Sequence, residues 1–240
     1  MADAIQLLVG TRKGAWILRS DAQRKTWRTE GPLFLGQIVN HFVRDPRDGR
    51  TMLMAASTGH LGPTILRSTD DGATWTEAKA PPAFPKSDAP GGRSVDHGFW
   101  LEPGHASEPG VWWAGVSPPG LFESRDGGDT WASVAGFNDN PNYAAWCPPE
   151  AGTPDGALLN QVVIDPRDAA HMYVATSSGG VFETLDRGAS WAPLNENVEA
   201  NFMPDPYPEF GQDAHFIALA PTDPDRLWQQ NRCGVSRLDR

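Results

Sequence analysis

The sequence has little cysteine, no long apolar run and no excess of positive charge, and each shortage removes a class of protein. Its two cysteines, Cys147 and Cys233, stand far apart and outside any CxxC pattern. They read as buried thiols rather than as a disulfide framework or a metal pair. No stretch is apolar over the length a helical membrane span needs. The opening residues, Met1-Ala-Asp-Ala-Ile-Gln-Leu-Leu-Val-Gly, lack the charged start and long apolar segment of a secretory leader, so the expectation is a soluble, cytoplasmic protein. There are 20 Lys and Arg against 30 Asp and Glu, a net charge of −10. Nucleic acid and membrane surfaces, which need clustered cations, are therefore not expected partners. No P-loop, zinc motif or recognisable catalytic triad is present. No cofactor is indicated, and no local ligand spacing supports a metal.

Turn residues and tryptophan are what the chain has in quantity: 25 Gly, 22 Pro and 10 Trp in 240 residues. They are ordered by a repeated phrase: Ser68-Thr-Asp70-Asp-Gly72-Ala-Thr74-Trp75, Ser124-Arg-Asp126-Gly-Gly128-Asp-Thr130-Trp131 and Thr184-Leu-Asp186-Arg-Gly188-Ala-Ser190-Trp191. A worn copy runs from Ser20 to Trp27, and a fifth begins at Arg237-Leu-Asp239. Asp and Ser side chains bond nearby backbone N–H groups, and Gly takes a φ that other residues avoid. Apolar residues flank each phrase, which predicts strand, tight turn, strand, with the Trp as a packing plug. A second phrase precedes each turn: Val43-Arg-Asp45-Pro46-Arg-Asp48, Val163-Ile-Asp165-Pro166-Arg-Asp168, Leu219-Ala-Pro221-Thr-Asp223-Pro224, and a looser Leu101-Glu102-Pro103. An apolar strand follows each, so a unit is four short strands. Repeats of this length and strand number are the mark of propeller blades.

The turn phrase resembles the Asp-box, or bacterial neuraminidase repeat, found in sialidases, sortilin-type receptors, xyloglucan-active glycosidases and photosystem II assembly-factor-like proteins. The resemblance covers nearly the whole chain. It implies an all-β fold: a β-propeller of four-stranded antiparallel blades with Asp-box turns. The chain is read as one domain, residues 1–240, with blade units near 1–28, 38–76, 95–132, 158–192 and 213–240. Residues 5–28 supply three strands without an inner one, and residues 214–240 an inner strand and two more. The expectation is the front part of a six- or seven-bladed ring, with an irregular four- or five-bladed ring as the alternative. Open edge strands would then invite dimerisation.

If the phrase is the turn between the third and outer strands, every copy lies on one face, and the loops leading into the inner strands lie on the other. The resemblance implies that this second face carries any site. Six residues before Pro46, Pro103, Pro166 and Pro221 stand Asn40, His97, Asn160 and His215, expected to form a ring at the channel mouth. Beside them are His41, Asp96, Gln161 and Asp213. A carboxylate next to an imidazole fixes its tautomer for acid–base work or metal ligation, which makes His97 with Asp96, and His215 with Asp213, candidate catalytic pairs. Arg12, His60 and Arg232 fall in loops on the same face and, with Asn40, His41 and Asn160, are candidate ligand contacts. Ser68, Asp70, Gly72, Trp75, Ser124, Asp126, Gly128, Trp131, Asp186, Gly188 and Trp191 are expected to be structural. Long Pro-rich loops near 78–95, 137–158 and 196–212 carry Asp139, Tyr143, Trp146, Asp205, Tyr207 and Glu209, and Trp and Tyr there suit stacking on a sugar.

Three readings follow. The first to be favoured is a binding module taking a small molecule, a glycan or a protein on the face opposite the Asp-boxes. The alternatives are a glycoside hydrolase, sialidase-like but not a true sialidase, and a His- or metal-dependent hydrolase or lyase. True sialidase activity is not expected: there are three tyrosines and no Arg-Ile-Pro phrase, and nothing in the sequence sets Arg12, Arg93 and Arg232 into one clamp.

Overall fold

The tandem phrases fold into five antiparallel sheets laid out in chain order. The computed structural model describes residues 5–59, 62–86, 92–148, 151 and 156–239. The first sheet holds β1 (Gln6–Thr11), β2 (Gly14–Ser20) and β3 (Trp27–Leu33). The second holds β4 (Ile38–Arg44), β5 (Met52–Thr58), β6 (Gly62–Ser68) and β7 (Thr76–Glu77). The third holds β8 (His97–Pro103), β9 (Trp112–Ser117), β10 (Gly120–Ser124) and β11 (Ala132–Ser133). Two one-turn helices, α1 (Ala135–Asn138) and α2 (Tyr143–Trp146), lead to the fourth: β12 (Leu159–Asp165), β13 (Asp168–Thr176), β14 (Gly180–Thr184) and β15 (Ala192–Pro193). The fifth holds β16 (Ala214–Ala220), β17 (Asp223–Asn231) and β18 (Gly234–Asp239). Strands β4, β8, β12 and β16 pack side by side as the inner strands of successive blades, and β1 lies against β4. This is a β-propeller arrangement. The third strand of the first sheet runs on to Leu33, past the limit of residue 28 that the repeat suggests.

The core is divided into layers, one between each pair of neighbouring sheets. Strand β9 shows why. It reads Trp112-Trp-Ala-Gly-Val-Ser117 and is buried at every position, because a strand covered on both faces has no reason to alternate apolar with polar. Successive side chains point to opposite faces. Trp112 therefore joins Leu53, Ile65, Leu101 and Phe122 between the second and third sheets. Trp113 joins Leu121, Leu159, Met172 and Phe182 between the third and fourth. Trp146, a candidate for stacking on a sugar, is instead fully buried in that second layer against Phe137 and Phe182; its ring is core.

The repeated turn is built the same way three times. The Ser68 hydroxyl bonds the Asp70 carboxylate (2.7 Å) and accepts Gly72 N (2.9 Å). Asp70 accepts the Thr74 amide (2.9 Å) and hydroxyl (2.6 Å), and Trp75 Nε1 donates to Gly72 O (3.0 Å). The same set recurs around Asp126 and Trp131, and around Asp186 and Trp191. Gly72, Gly128 and Gly188 have φ of +88°, +87° and +86°. A Cβ on Gly72 would also lie 2.9 Å from Ile17 of the first sheet, and one on Gly128 2.8 Å from Leu53 of the second. The turn is thus pressed onto the preceding blade. In the worn copy Asp21 does the work of Asp70, accepting the Lys25 and Thr26 amides and the Thr26 hydroxyl.

The Asp-Pro-Arg phrase is a latch between sheets. Arg47 grips Asp45 through Nε (2.8 Å) and Nη2 (2.7 Å), then donates to Gly104 O, Glu108 O and Val111 O around the β8–β9 turn. Arg167 holds Asp165 likewise and reaches Asp225 of the fifth sheet (2.8 Å). The Arg47 side chain is 11% exposed and that of Arg167 48%.

Removing one partner of a buried pair strands the other's charge, so Arg47→Ala should cost about 3 kcal/mol or more in urea unfolding. Arg167→Ala leaves Asp165, itself 1% exposed, with His171 Nδ1 still 3.1 Å away, so it should cost less than Arg47→Ala; equal losses would show that His171 does not compensate the carboxylate. The turns add an acid signature. The Thr74 hydroxyl and amide hold the Asp70 carboxyl down to about 2, and Ser190 does the same for Asp186. Partial burial raises Asp126, but its bonds to Thr130 and Ser124 outweigh this and leave it at about 2. Carboxyls depressed in the fold stabilise it above their unfolded value near 4. That contribution should be lost as pH falls from about 4 to about 2, which an acid titration followed by tryptophan fluorescence would record.

Candidate functional site

Each inner strand carries a bulge near its start. Pairing with the next strand slips by one residue at Asn40 in β4, Phe99 in β8, Asn160 in β12 and His215 in β16. The proline alignment is therefore two residues out in the third blade. Pro103 pairs with Trp112, as Arg44 pairs with Met52 and Ile164 with Met172. Phe99, not His97, is the counterpart of Asn40.

The bulges turn polar side chains across to the following blade. Asn40 Nδ2 donates to Gly98 O (2.9 Å), and Leu101 N donates to His41 Nδ1 (2.9 Å). The fourth blade repeats the pair: Asn160 Nδ2 donates to Ala214 O (2.7 Å), and Ile217 N to Gln161 Oε1 (2.8 Å). Much of the expected polar ring is thus stitching between inner strands. Asn160 is buried. His41 lies stacked on Trp100, ring centroids 4.2 Å apart, and burial pushes its pKa down to about 4. With Nδ1 accepting a backbone N–H, its proton sits on Nε2.

On the long-loop face a cavity of about 1370 Å³ opens. Its wall takes Arg12 from the β1–β2 turn, Asn40 from the first bulge, Asp96, His97 and Phe99 from the start of β8, and Asp139 and Tyr143 from the segment around α1 and α2. His97 Nδ1 lies 2.7 Å from Asp96 Oδ2, with the imidazole side chain 17% exposed and the carboxylate solvated. Arg93, also in the wall, lies over the Phe84 ring (4.4 Å) and the Tyr143 ring (4.1 Å). It donates to Asn138 O and lies 4.0 Å from Asp139. The Tyr143 hydroxyl donates to Pro119 O (2.9 Å), and burial raises its pKa.

The other candidates go elsewhere. His215 Nε2 and Asp213 are 3.1 Å apart but do not line this cavity, and Arg232 sits in the β17–β18 turn over the Phe202 ring (5.0 Å). His60 lies outside the described residues. Sequence reasoning passed over Glu102. It lines a second pocket, of about 310 Å³, with Arg47, His105 and Gln161. Burial pushes its carboxyl up to about 7, against the opposing Trp100 Nε1–H bond (3.0 Å) and the Arg47 charge. No local pattern marks it. Among the described residues no three His, Cys, Asp or Glu converge to hold a metal ion.

No protein-family model matches the chain. It is 26% identical to a xyloglucanase of Paenibacillus sp over 239 residues, 89% of this chain and 21% of that protein. It is 35% identical over 80 residues to an oligoxyloglucan-reducing end-specific xyloglucanase of Emericella nidulans, 33% of this chain and 8% of that one. Among solved structures it is similar to the GH74 xyloglucanase from Xanthomonas campestris, with a TM-score of 0.63 and 24% identity, covering 96% of this chain and 32% of that one. The chain thus spans about a fifth of the longer-matching curated relative and a third of the solved one. The structural likeness shows the β-propeller fold.

His41 makes a pH-dependent contribution of predictable sign. Its pKa is lower in the fold than the unfolded 6.5, so the unfolded state binds the extra proton, and stability is lost as pH falls from about 6.5 to about 4. Glu102, raised to about 7, works the other way, losing stability as pH rises from about 4.5 to about 7. His41→Gln copies the fourth blade, where Gln161 already accepts the equivalent N–H. The difference in unfolding free energy between wild type and H41Q should shift in favour of H41Q on going from pH 7 to pH 4.5. A constant difference would show that His41 is not neutral in the fold.

Proposed function

We propose that this chain is the glycan-recognising part of a β-propeller of the glycoside hydrolase type, and that an oligosaccharide of the xyloglucan kind occupies the cavity on the long-loop face. The observation that carries the reading is the cavity itself. At about 1370 Å³ it has room for several sugar units, and its wall sets the rings of Phe99 and Tyr143 among the polar side chains of Asn40, Asp96, His97 and Asp139. Apolar surface with a few convergent polar groups is what a bound small ligand needs, and aromatic rings suit the apolar faces of sugars. The distant likeness to xyloglucanases supports a glycoside-active role over a protein-binding one. The repeated Ser-x-Asp-x-Gly-x-Thr-Trp turn supports placing the chain among the Asp-box propellers.

Hydrolysis of a glycosidic bond takes two carboxyl groups flanking it. Within the cavity the candidates are Asp96, held by His97, and Asp139, beside Arg93. Asp96, with His97 Nδ1 at 2.7 Å, would give a proton to the departing glycosidic oxygen, and Asp139 would take one from the attacking water. Asp139 would face the sugar ring from the opposite wall. A binding module differs only in lacking turnover.

The test combines calorimetry with an assay for new reducing ends, using xyloglucan oligosaccharides. Binding should be measurable and should weaken about tenfold in Phe99→Ala, the loss of a stacking or apolar contact of about 1–1.5 kcal/mol. Asp96→Asn and Asp139→Asn should abolish any turnover while leaving binding within a few-fold. Binding without turnover in the wild type selects the module reading. Absence of binding, or binding indifferent to Phe99→Ala, removes the cavity as the site.

A further inference from the structure

Every layer between sheets is made by the same positions of the repeat. The tryptophan that closes each turn packs with the sheet before it: Trp75 with Ile17, Trp131 with Leu53, Trp191 with Trp113. Two other positions pack with the sheet after. One holds Leu53, Trp113 and Tyr173, which pair with Val43, Glu102 and Val163. The other holds Ile65, Leu121 and Val181, which pair with Ala55, Gly115 and Ala175. All six are buried in those layers. In the first and last sheets the same positions lie open. Trp228 pairs with Ala218 as Tyr173 does with Val163, and Val235 pairs with Gln230 as Val181 does with Ala175. Yet Trp228 is 42% and Val235 67% exposed, with Phe216 exposed on the same sheet. At the other end, Ala15 and Ile17 of β2 point to the second sheet. Leu18 and Ser20 therefore point away, and their strand partners Leu7 and Trp27 point with them. Trp27, which closes the worn turn, is 41% exposed.

We propose that these two faces are halves of one interface, and that the chain associates head to tail with a second copy of itself. The first sheet of one copy stacks on the last sheet of the other, reproducing between molecules the layer that recurs within one. The halves are complementary and unlike. One carries a turn tryptophan, and the other carries the two positions that such a tryptophan's layer draws from the sheet before it. First sheet on first sheet would set Trp27 against Trp27, and last on last would leave no turn tryptophan in the layer. The contact is therefore heterologous. A second copy is the occupant because this chain itself bears both halves, and neither covers the other within one molecule. Clustered exposed apolar side chains mark such surfaces, and tryptophan is the commonest kind of anchor in them. None of Leu7, Trp27, Phe216, Trp228 and Val235 lines the large cavity, so the proposal stands apart from the glycan reading.

Sedimentation velocity of the whole chain, from low to high micromolar concentration, tests it. Wild type should rise from one chain mass to two or more as concentration increases. Trp27→Asp spoils the first face and Trp228→Asp the last, so each alone should associate at least about tenfold more weakly. Mixed one to one, the two variants should form a complex of two chains and nothing larger. Trp27→Asp keeps an intact last sheet and Trp228→Asp an intact first sheet, so one interface between them survives. Recovery in the mixture also shows that both variants are folded. Val235→Asp, at a more exposed position of the same face, should behave as Trp228→Asp does: it should pair with Trp27→Asp and not with Trp228→Asp. A wild type that stays at one chain mass at every concentration overturns the proposal. So does Trp27→Asp or Trp228→Asp associating by itself as wild type does, which is the mark of like faces meeting. A mixture with Trp27→Asp that stays at one chain mass, for Trp228→Asp and Val235→Asp alike, overturns it as well.

Discussion

Burial of both faces of every middle sheet is the constraint from which the rest of this structure follows. A four-stranded sheet whose outer strand is two residues long cannot enclose a core. Each sheet completes itself only against its neighbours, as Trp112 and Trp113 show by pointing into different layers. Polar devices then fix how the layers register. The bulge bonds of Asn40 and Asn160 align inner strand with inner strand, the Arg47 latch ties one blade to the turn of the next, and the tryptophan turn seats itself on the blade before. Together they leave each pair of sheets one way to meet.

The same devices decide where chemistry has room. On the face of the repeated turns, side chains are consumed by local hydrogen bonds: Asp70, Asp126 and Asp186 each accept from several partners. On the other face the inner strands begin, the bulges break the ladder and the segment from Ala135 to Trp146 folds over the gap. Trp146 and Phe137 hold that segment down from inside. Asp139 and Tyr143 are left in the cavity wall, together with groups delivered by three earlier blades.

The fold was legible because its signal is periodic and its mechanism local. A Ser, an Asp, a Gly and a Trp at fixed offsets specify one turn, and repetition of the turn specifies the blades. The site was legible only where a residue's position along its own strand decides its neighbours: Arg12, Asn40, Asp96 and His97 do share a cavity. It failed where position around the ring decides. Asp213 and His215 form the pair their sequence suggests, but on another blade. The third-blade alignment slipped because Pro103 ends a strand whereas Pro46 lies in the turn beyond one, and proline marks either place equally well. Glu102 was beyond reach because the residues around it, Arg47 and Gln161 among them, come from other blades; Arg93 could be named, but not its place over the Tyr143 ring, which a later loop supplies.

The contact between each tryptophan turn and the blade before it gives the molecule a direction. Gly72 fits against Ile17, Gly128 against Leu53 and Gly188 against Val134, each time a later turn on an earlier side chain. The seat for a given turn is therefore already present in chain that leaves the ribosome before it. A blade finishing its turn inherits a surface that is complete, and in turn offers one to its successor. In all three the glycine is the later partner and the side chain it fits the earlier one.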